Sequence, residues 1–268
     1  MAYDPATGSR RWIATWDGTG YNEAAVALAV SSDGSKVFVT GSTEVVPYTD
    51  DYATVAYDAM TGSQLWAEHY DGPSGLMGTD DATAMAVSSD GSKVFVTGVS
   101  DGADGYPDLD YASLAYDADT GSELWLQRFD DGAKRADVAS SIAVTPGGST
   151  VFVTGWSFWT SPSWADYLTV AYAAETGDPL GVKAFDGRLH HQDVAIAVAV
   201  SPDGSKAFVT GYSDEVDGSH SDYVTLAYRV PGATRSSWRA KAARITPPWP
   251  IDERAPVSPA RRSGPYFA

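Results

Sequence analysis

A five-residue segment, VFVTG, limits this chain more than anything else in it. It stands at Val37–Gly41, Val94–Gly98 and Val151–Gly155, and as AFVTG at Ala207–Gly211. Its glycines are separated by 57, 57 and 56 residues. A second marker built on the dipeptide AY keeps nearly the same period, with Tyr3, Tyr57, Tyr116, Tyr172 and Tyr228 spaced 54, 59, 56 and 56 apart. Self-similarity at a fixed period marks an array of supersecondary units that bury their apolar faces against one another. Each unit here reads as four strand-forming runs, for example Ala82 to Val87, Lys93 to Val99, Asp51 to Asp58 and Gln64 to Tyr70. The expectation is an all-β fold, a β-propeller of four-stranded antiparallel blades with about four repeats of roughly 57 residues. The units lie near residues 22–71, 80–130, 136–186 and 192–228. A β-sandwich is the structural alternative, disfavoured because a strict four-strand period is unusual for that architecture.

The connections orient the unit. The first and second runs join through SSDGS or SPDGS, and the third and fourth through DAxTGS, both tight glycine turns. The other two connections vary in length and sequence, as Ser42 to Asp50, Ser100 to Leu109, Trp156 to Ala165 and Tyr212 to Ser221 show. In an up-and-down blade these variable loops emerge at one end, which is where ligand contacts are expected. Runs such as KVFVTG and TVAYDA are apolar on both faces, as strands covered on both sides are.

A formal net charge of −17 makes nucleic acid and anionic membrane surfaces poor partners, since phosphate is bound by Lys and Arg. The chain has no cysteine, hence no disulfide, thiolate metal site or Cys nucleophile. No run approaches 18 apolar residues, and MAYDPATGSRRW lacks the basic and apolar regions of an export signal. Charge divides unevenly: residues 1–228 hold 10 Lys and Arg against 33 Asp and Glu, and residues 229–268 hold 8 against 2. The latter, rich in Pro, Arg and Ala, reads as an irregular basic tail or as the product of a shifted reading frame.

The pattern DYxTVAYDAxTGxxLW, a YDG turn and DDAxAMAVSSDGSKVFVTG resembles the bacterial SBBP β-propeller repeats across residues 1–228. AYDPATGSRRW (Ala2 to Trp12), AYDAMTGSQLW (Ala56 to Trp66) and AYDADTGSELW (Ala115 to Trp125) are similar to the tryptophan-docking motif of quinoprotein propellers. That resemblance implies tryptophans that hold neighbouring blades together. AYAAETGDPLG (Ala171 to Gly181) departs from it by losing both the Asp and the Trp. Pyrroloquinoline quinone is not expected, because a vicinal Cys pair is missing and the blades are too few. The SBBP resemblance implies seven blades and an exported bacterial protein, extracellular or at the cell surface. Here the N-terminal Ser9 to Trp16 reads as a fourth strand without its blade, and Asp222 to Tyr228 as a third strand without a successor. Either the first completes the last blade and closes a small ring, or the blade edges stay open and self-associate.

Acidic residues recur with the period. Glu23, Asp81, Asp137 and Asp193 precede the first strands, and Asp51, Asp110, Asp166 and Asp222 open the third strands. As structural carboxylates they cap turns. As ligands, the first four would converge near the propeller axis around Ca²⁺ or another hard cation, because like charges so close need a counter-ion. The acidic loops Ser100 to Asp110 and Ser213 to Asp222 lack the spacing of a calcium loop and read as solvated. The loop WSFWTSPSWAD concentrates Trp156, Phe158, Trp159 and Trp164, and with His190 and His191 at the same end it is the candidate binding site for a glycan or protein ligand. H-E-x-x-H does not occur, and His69 reads as a solvated strand residue. Two functions follow: a non-catalytic binding or scaffold propeller, or a polysaccharide lyase or hydrolase with acids from several blades at the axial mouth.

Overall fold

The structure is a computed structural model that describes residues 1–231 apart from 19, 47–48, 74–77, 103–107, 133–134, 159–163, 189 and 215–219. Residues 232–268, most of the expected basic tail, lie outside the described residues. A short N-terminal hairpin pairs β1 (Ala2–Tyr3) with β2 (Arg10–Trp12). The first blade follows as the meander β3 (Glu23–Val30), β4 (Lys36–Val46), β5 (Thr49–Asp58) and β6 (Gln64–Tyr70). The second is β7 (Asp80–Val87), β8 (Lys93–Asp101), β9 (Leu109–Asp117) and β10 (Glu123–Phe129). The third is β11 (Asp137–Val144), β12 (Thr150–Ser157), β13 (Asp166–Ala173) and β14 (Pro179–Phe185). The last has three described strands, β15 (Asp193–Val200), β16 (Lys206–Asp214) and β17 (Ser221–Arg229). The fold is therefore the all-β propeller array that the repeat predicts.

Turn chemistry explains the local order. In the SxDGS turns, Asp33 Oδ1 accepts from Ser31 Oγ at 2.6 Å and from the Ser35 amide at 3.0 Å, while Gly34 takes φ +73°. Asp33, Asp90 and Asp203 are held at about 2 by these serine bonds. In the third-to-fourth turns Asp58 and Asp117 accept the amides of Thr61 and Thr120, at 2.7 and 2.8 Å. Ala173 stands at that position in the third blade, and there the turn keeps its backbone bond from Gly177 N to Ala173 O at 2.8 Å.

The glycine of VFVTG has a packing cause. The first strand of each blade bulges opposite it, between Ala25/Ala27, Ala82/Ala84, Ala139/Ser141 and Ala195/Ala197. A Cβ on Gly98 would come within 2.0 Å of the Asp81 carbonyl oxygen and 2.7 Å of the Tyr52 hydroxyl of the preceding blade. Gly155 and Gly211 meet Tyr111 and Tyr167 in the same way, at 2.8 and 2.9 Å.

The core lies between blades. Phe38, Tyr52 and Trp66 of the first blade bury against Val94, Leu114 and Tyr116 of the second, and this seam repeats twice more. Trp66 Nε1 donates across it to Ala118 O at 3.1 Å, and Trp125 Nε1 to Ala174 O at 3.0 Å. Where Gly181 replaces the tryptophan, the third seam retains Tyr167, which donates its hydroxyl to Val224 O at 3.2 Å. Trp12 of the N-terminal hairpin donates to Ala59 O at 2.9 Å, docking on the first blade as Trp66 docks on the second. The hairpin is thus the outer fragment of a blade position ahead of the first. Closure of the last blade by the N-terminal strand does not occur here: β2 pairs with β1, and β17 pairs with β16 alone among the described residues.

Candidate cation centres and the loop face

The variable connections bring carboxylates together at each seam. At the first seam Asp51 opens β5, Asp71 follows β6 and Asp80 opens β7, with one oxygen from each within 4.8 Å of the others. Asp80 is fully buried and accepts the Gly72 amide at 2.8 Å. Burial pushes Asp51 up to about 7, helped by the charges of Asp71, Asp80 and Asp50. At the third seam Asp166, Asp186 and Asp193 repeat the arrangement, and Asp193 accepts the Gly187 amide at 2.6 Å. Burial raises Asp193 as well. His190, the one described non-glycine residue with positive φ, sets Nδ1 2.5 Å from Asp186 Oδ2, and this carboxylate raises the imidazole.

Between the first and second blades the protein also supplies a cation of its own. Arg128 donates to Asp110 Oδ2 at 2.7 Å, to Asp101 O at 2.9 Å and to Tyr70 Oη at 2.6 Å. Strand pairing sets Arg128 opposite Ala112, the position that His69 holds opposite Ala53 and Ala184 opposite Leu168. Arg128 also donates to the Ser100 hydroxyl, which hydrogen-bonds Asp80, and its charge favours the ionised form of that first-trio acid; the third trio has Ala184 at the corresponding position. Beyond Arg128, Asp130, Asp131 and Asp137 form a further group, and burial pushes Asp137 up to about 8.

The expected axial cluster of Glu23, Asp81, Asp137 and Asp193 does not form as written. Glu23, Asp80, Asp137 and Asp193 are the equivalent residues, pairing with Thr43, Ser100, Ser157 and Ser213. Asp81 pairs with Val99 one step later, and a one-residue step turns a strand side chain to the other face. Nor do the equivalents share one centre: Asp80, Asp137 and Asp193 belong to separate groups. Facing sheets stand about 10 Å apart, so the residues nearest each are those entering and leaving its own seam. Asp71, Asp130 and Asp186 complete these groups. Their signal was an acid directly after the last aromatic of each fourth strand, in YDG, FDD and FDG, where it reads as ordinary turn chemistry.

The aromatic loop separates into two contacts. Trp156 meets Phe158 edge to face at 5.8 Å, and the Arg135 guanidinium lies 5.7 Å from the Phe158 ring. Trp164 stays 43% exposed and tilts against His191 at 5.4 Å, two residues before Asp166 of the third seam. Trp159 lies outside the described residues. His69 is engaged by Trp16, edge to face at 5.5 Å.

No family model matches the chain, and no curated protein matches it. Solved structures similar to it are propellers. The RRP9 WD40 repeats give a TM-score of 0.47 at 16% identity, over 72% of this chain and 46% of that one. The Dos1 propeller gives 0.46 at 16% identity, over 70% and 42%. TolB from Acinetobacter baumannii gives 0.44 at 15% identity, over 77% and 43%. The chain spans less than half the length of each of these. Neither SBBP repeats nor quinoprotein motifs are among these matches.

Proposed function

We propose that this is a non-catalytic binding or scaffold propeller that presents its variable-loop end to a glycan or protein ligand. The observation that carries the reading is the exposed Trp164–His191 pair beside the third acidic trio, on the face opposite the uniform tight turns. An indole with a second ring tilted against it offers its remaining flat apolar face with polar groups at its rim, which suits sugar rings and peptide side chains alike. The enzyme reading has less support, because Asp137, the acid pushed up furthest into the neutral range, is fully buried beyond a substrate's reach. The same reading includes hard-cation binding by oxygen ligands at the first and third trios, with Ca²⁺ the matching ion. The reading keeps an extracellular or cell-surface setting, where cation sites of extracellular modules bind Ca²⁺ at about 10⁻⁴–10⁻³ M.

The test is a glycan array together with capture of extracellular proteins, followed by titration of the best ligand against Trp164→Ala. A loss of about tenfold or more is expected for an aromatic anchor, with an unchanged unfolding midpoint. Equal affinity of the variant would remove the loop face as the binding surface.

A further inference from the structure

The two ends of the array carry opposite halves of one contact. Within the chain, each blade offers its successor a tyrosine from the third strand. Tyr52 donates to Ala112 O at 3.3 Å, Tyr111 to Leu168 O at 3.4 Å and Tyr167 to Val224 O at 3.2 Å. Each hydroxyl lies against the repeat glycine of the next blade. Each ring also packs on an aromatic of its own fourth strand: Tyr52 on Tyr70 at 5.2 Å, Tyr111 on Phe129 at 5.9 Å and Tyr167 on Phe185 at 5.4 Å. The next member of the series is Tyr223, which is 96% exposed.

The matching socket is on the first blade. Thr40 Oγ1 donates to Ala53 O at 3.0 Å, just as Thr97 and Thr154 donate to the carbonyls of Ala112 and Leu168 that take a tyrosine. The atoms nearest a Cβ on Gly41 are backbone atoms of Ala24 and Ala25, with no tyrosine among them. The socket opens into a groove of about 560 Å³ lined by Trp12, Trp16, Leu28, Gly41, Ala53 and Val55. Leu28 is 64% exposed there, although its equivalents Met85, Ile142 and Val198 pack into seams.

We propose that a second copy of this chain docks head to tail, Tyr223 of one copy entering the Gly41–Ala53 socket of the next. The N-terminal segment then supplies the fourth strand that the last blade lacks among the described residues. Trp16 follows Trp12 by four residues, as Tyr70 follows Trp66 and Phe129 follows Trp125, so it stands where the aromatic partner of Tyr223 is due. In this contact β17 takes the place of the two-residue β1 and pairs with the run from Arg10 to Trp16. The pairs Ala2↔Trp12 and Tyr3↔Arg10 are given up, with the Asp4–Ser9 backbone bond and the Arg11–Asp4 ion pair that join the same two segments. The interface joins different surfaces of each copy, so it builds a ring if the rotation closes and a filament if it does not. It deepens the scaffold reading by naming a partner, and it does not depend on what the loop face binds.

Sedimentation velocity tests it on the intact chain over a concentration series. The wild type sediments as a concentration-dependent assembly. Tyr223→Ala, at an exposed position, weakens association by at least about thirtyfold, as loss of an interface anchor does. Leu28→Glu puts a charge in the socket and has the same effect. An equimolar mixture of the two variants restores a dimer, because one intact tail and one intact head remain. Met60→Glu tightens association by up to about fivefold: Met60 is placed like Asp119 and Glu175, which pair with Lys36 and Lys93, and Lys206 of the neighbouring copy would face it. Circular dichroism confirms that each variant is folded. A wild type that stays monomeric to about 100 μM assigns the groove to another occupant and overturns the proposal, as would assembly indifferent to Tyr223→Ala or a mixture that stays monomeric.

Discussion

Replacing Trp125 with alanine isolates what the seams contribute. The indole is 6% exposed, lies over the Gly177 turn, packs 5.9 Å from Phe95 and 6.1 Å from Tyr172, and donates to Ala174 O at 3.0 Å. A Cβ on Gly177, at φ +73°, would come 2.8 Å from the indole, so the ring lies directly against the backbone of this turn. A buried aromatic of this size contributes roughly 4 kcal/mol from about 150 Å² at 25 cal/mol/Å². The stranded Ala174 carbonyl adds about 1 kcal/mol, and partial relaxation of the cavity takes some back. The net expectation is a loss of about 3–5 kcal/mol for Trp125→Ala and about 1–2 kcal/mol for Trp125→Phe, which keeps the ring but not the N–H. Trp12→Ala serves as the control, since Trp12 makes the same bond from a two-stranded hairpin and is only half-buried. Its cost should be about 1 kcal/mol. Urea unfolding followed by far-ultraviolet circular dichroism measures all three, with equal slopes required for the comparison. If Trp125→Ala costs no more than Trp12→Ala, inter-blade packing is not what holds this array together.

Two predictions concern the acids. With chelator present, stability should peak near pH 4–5. Asp51 and Asp137 titrate at about 7 and about 8 in the folded chain and near 4 when unfolded, so their contribution is full below about pH 4 and is lost as pH rises through 7–8. Asp33, Asp90 and Asp203, held at about 2, act in the opposite sense, and their support is lost as pH falls from about 4 towards 2. A melting temperature that climbs steadily from pH 5 to pH 8 would contradict this. Millimolar Ca²⁺ added after chelation should raise the melting temperature at pH 8 more than at pH 5, where protons occupy the same carboxylates. Asp186→Asn should lower the calorimetric heat while Asp81→Asn leaves it unchanged; no heat and no shift for the wild type would remove the cation reading.

Much of the molecule was legible in the chain because the determining interactions are short-ranged. The SxDGS and DAxTGS turns are closed by an aspartate on amides two or three residues away, so they can be read wherever the residues occur. Their spacing sets four strands to a unit and separates a uniform face from a variable one. The glycine of VFVTG was legible as a repeat, although its cause, a bulge on one side and a tyrosine from the preceding blade on the other, required coordinates.

Adjacent acids were another matter. Asp80 and Asp81 look interchangeable in sequence, and strand register sends one into the seam trio and the other to the opposite side. The seam groups join residues some 30 positions apart, such as Asp51 and Asp80, whose approach depends on how one blade rests on the next. A repeat period shows which residues are equivalent; it does not show which ones are neighbours. Closure is less local still, because it depends on rotation summed over every seam, and a strand pairs with whichever edge that sum brings within hydrogen-bonding distance. By itself the sequence determined the blade, its turns and its two faces. Tertiary structure alone decided that the carboxylates meet at the seams instead of at the axis, and that β2 pairs with β1 and leaves Tyr223 uncovered.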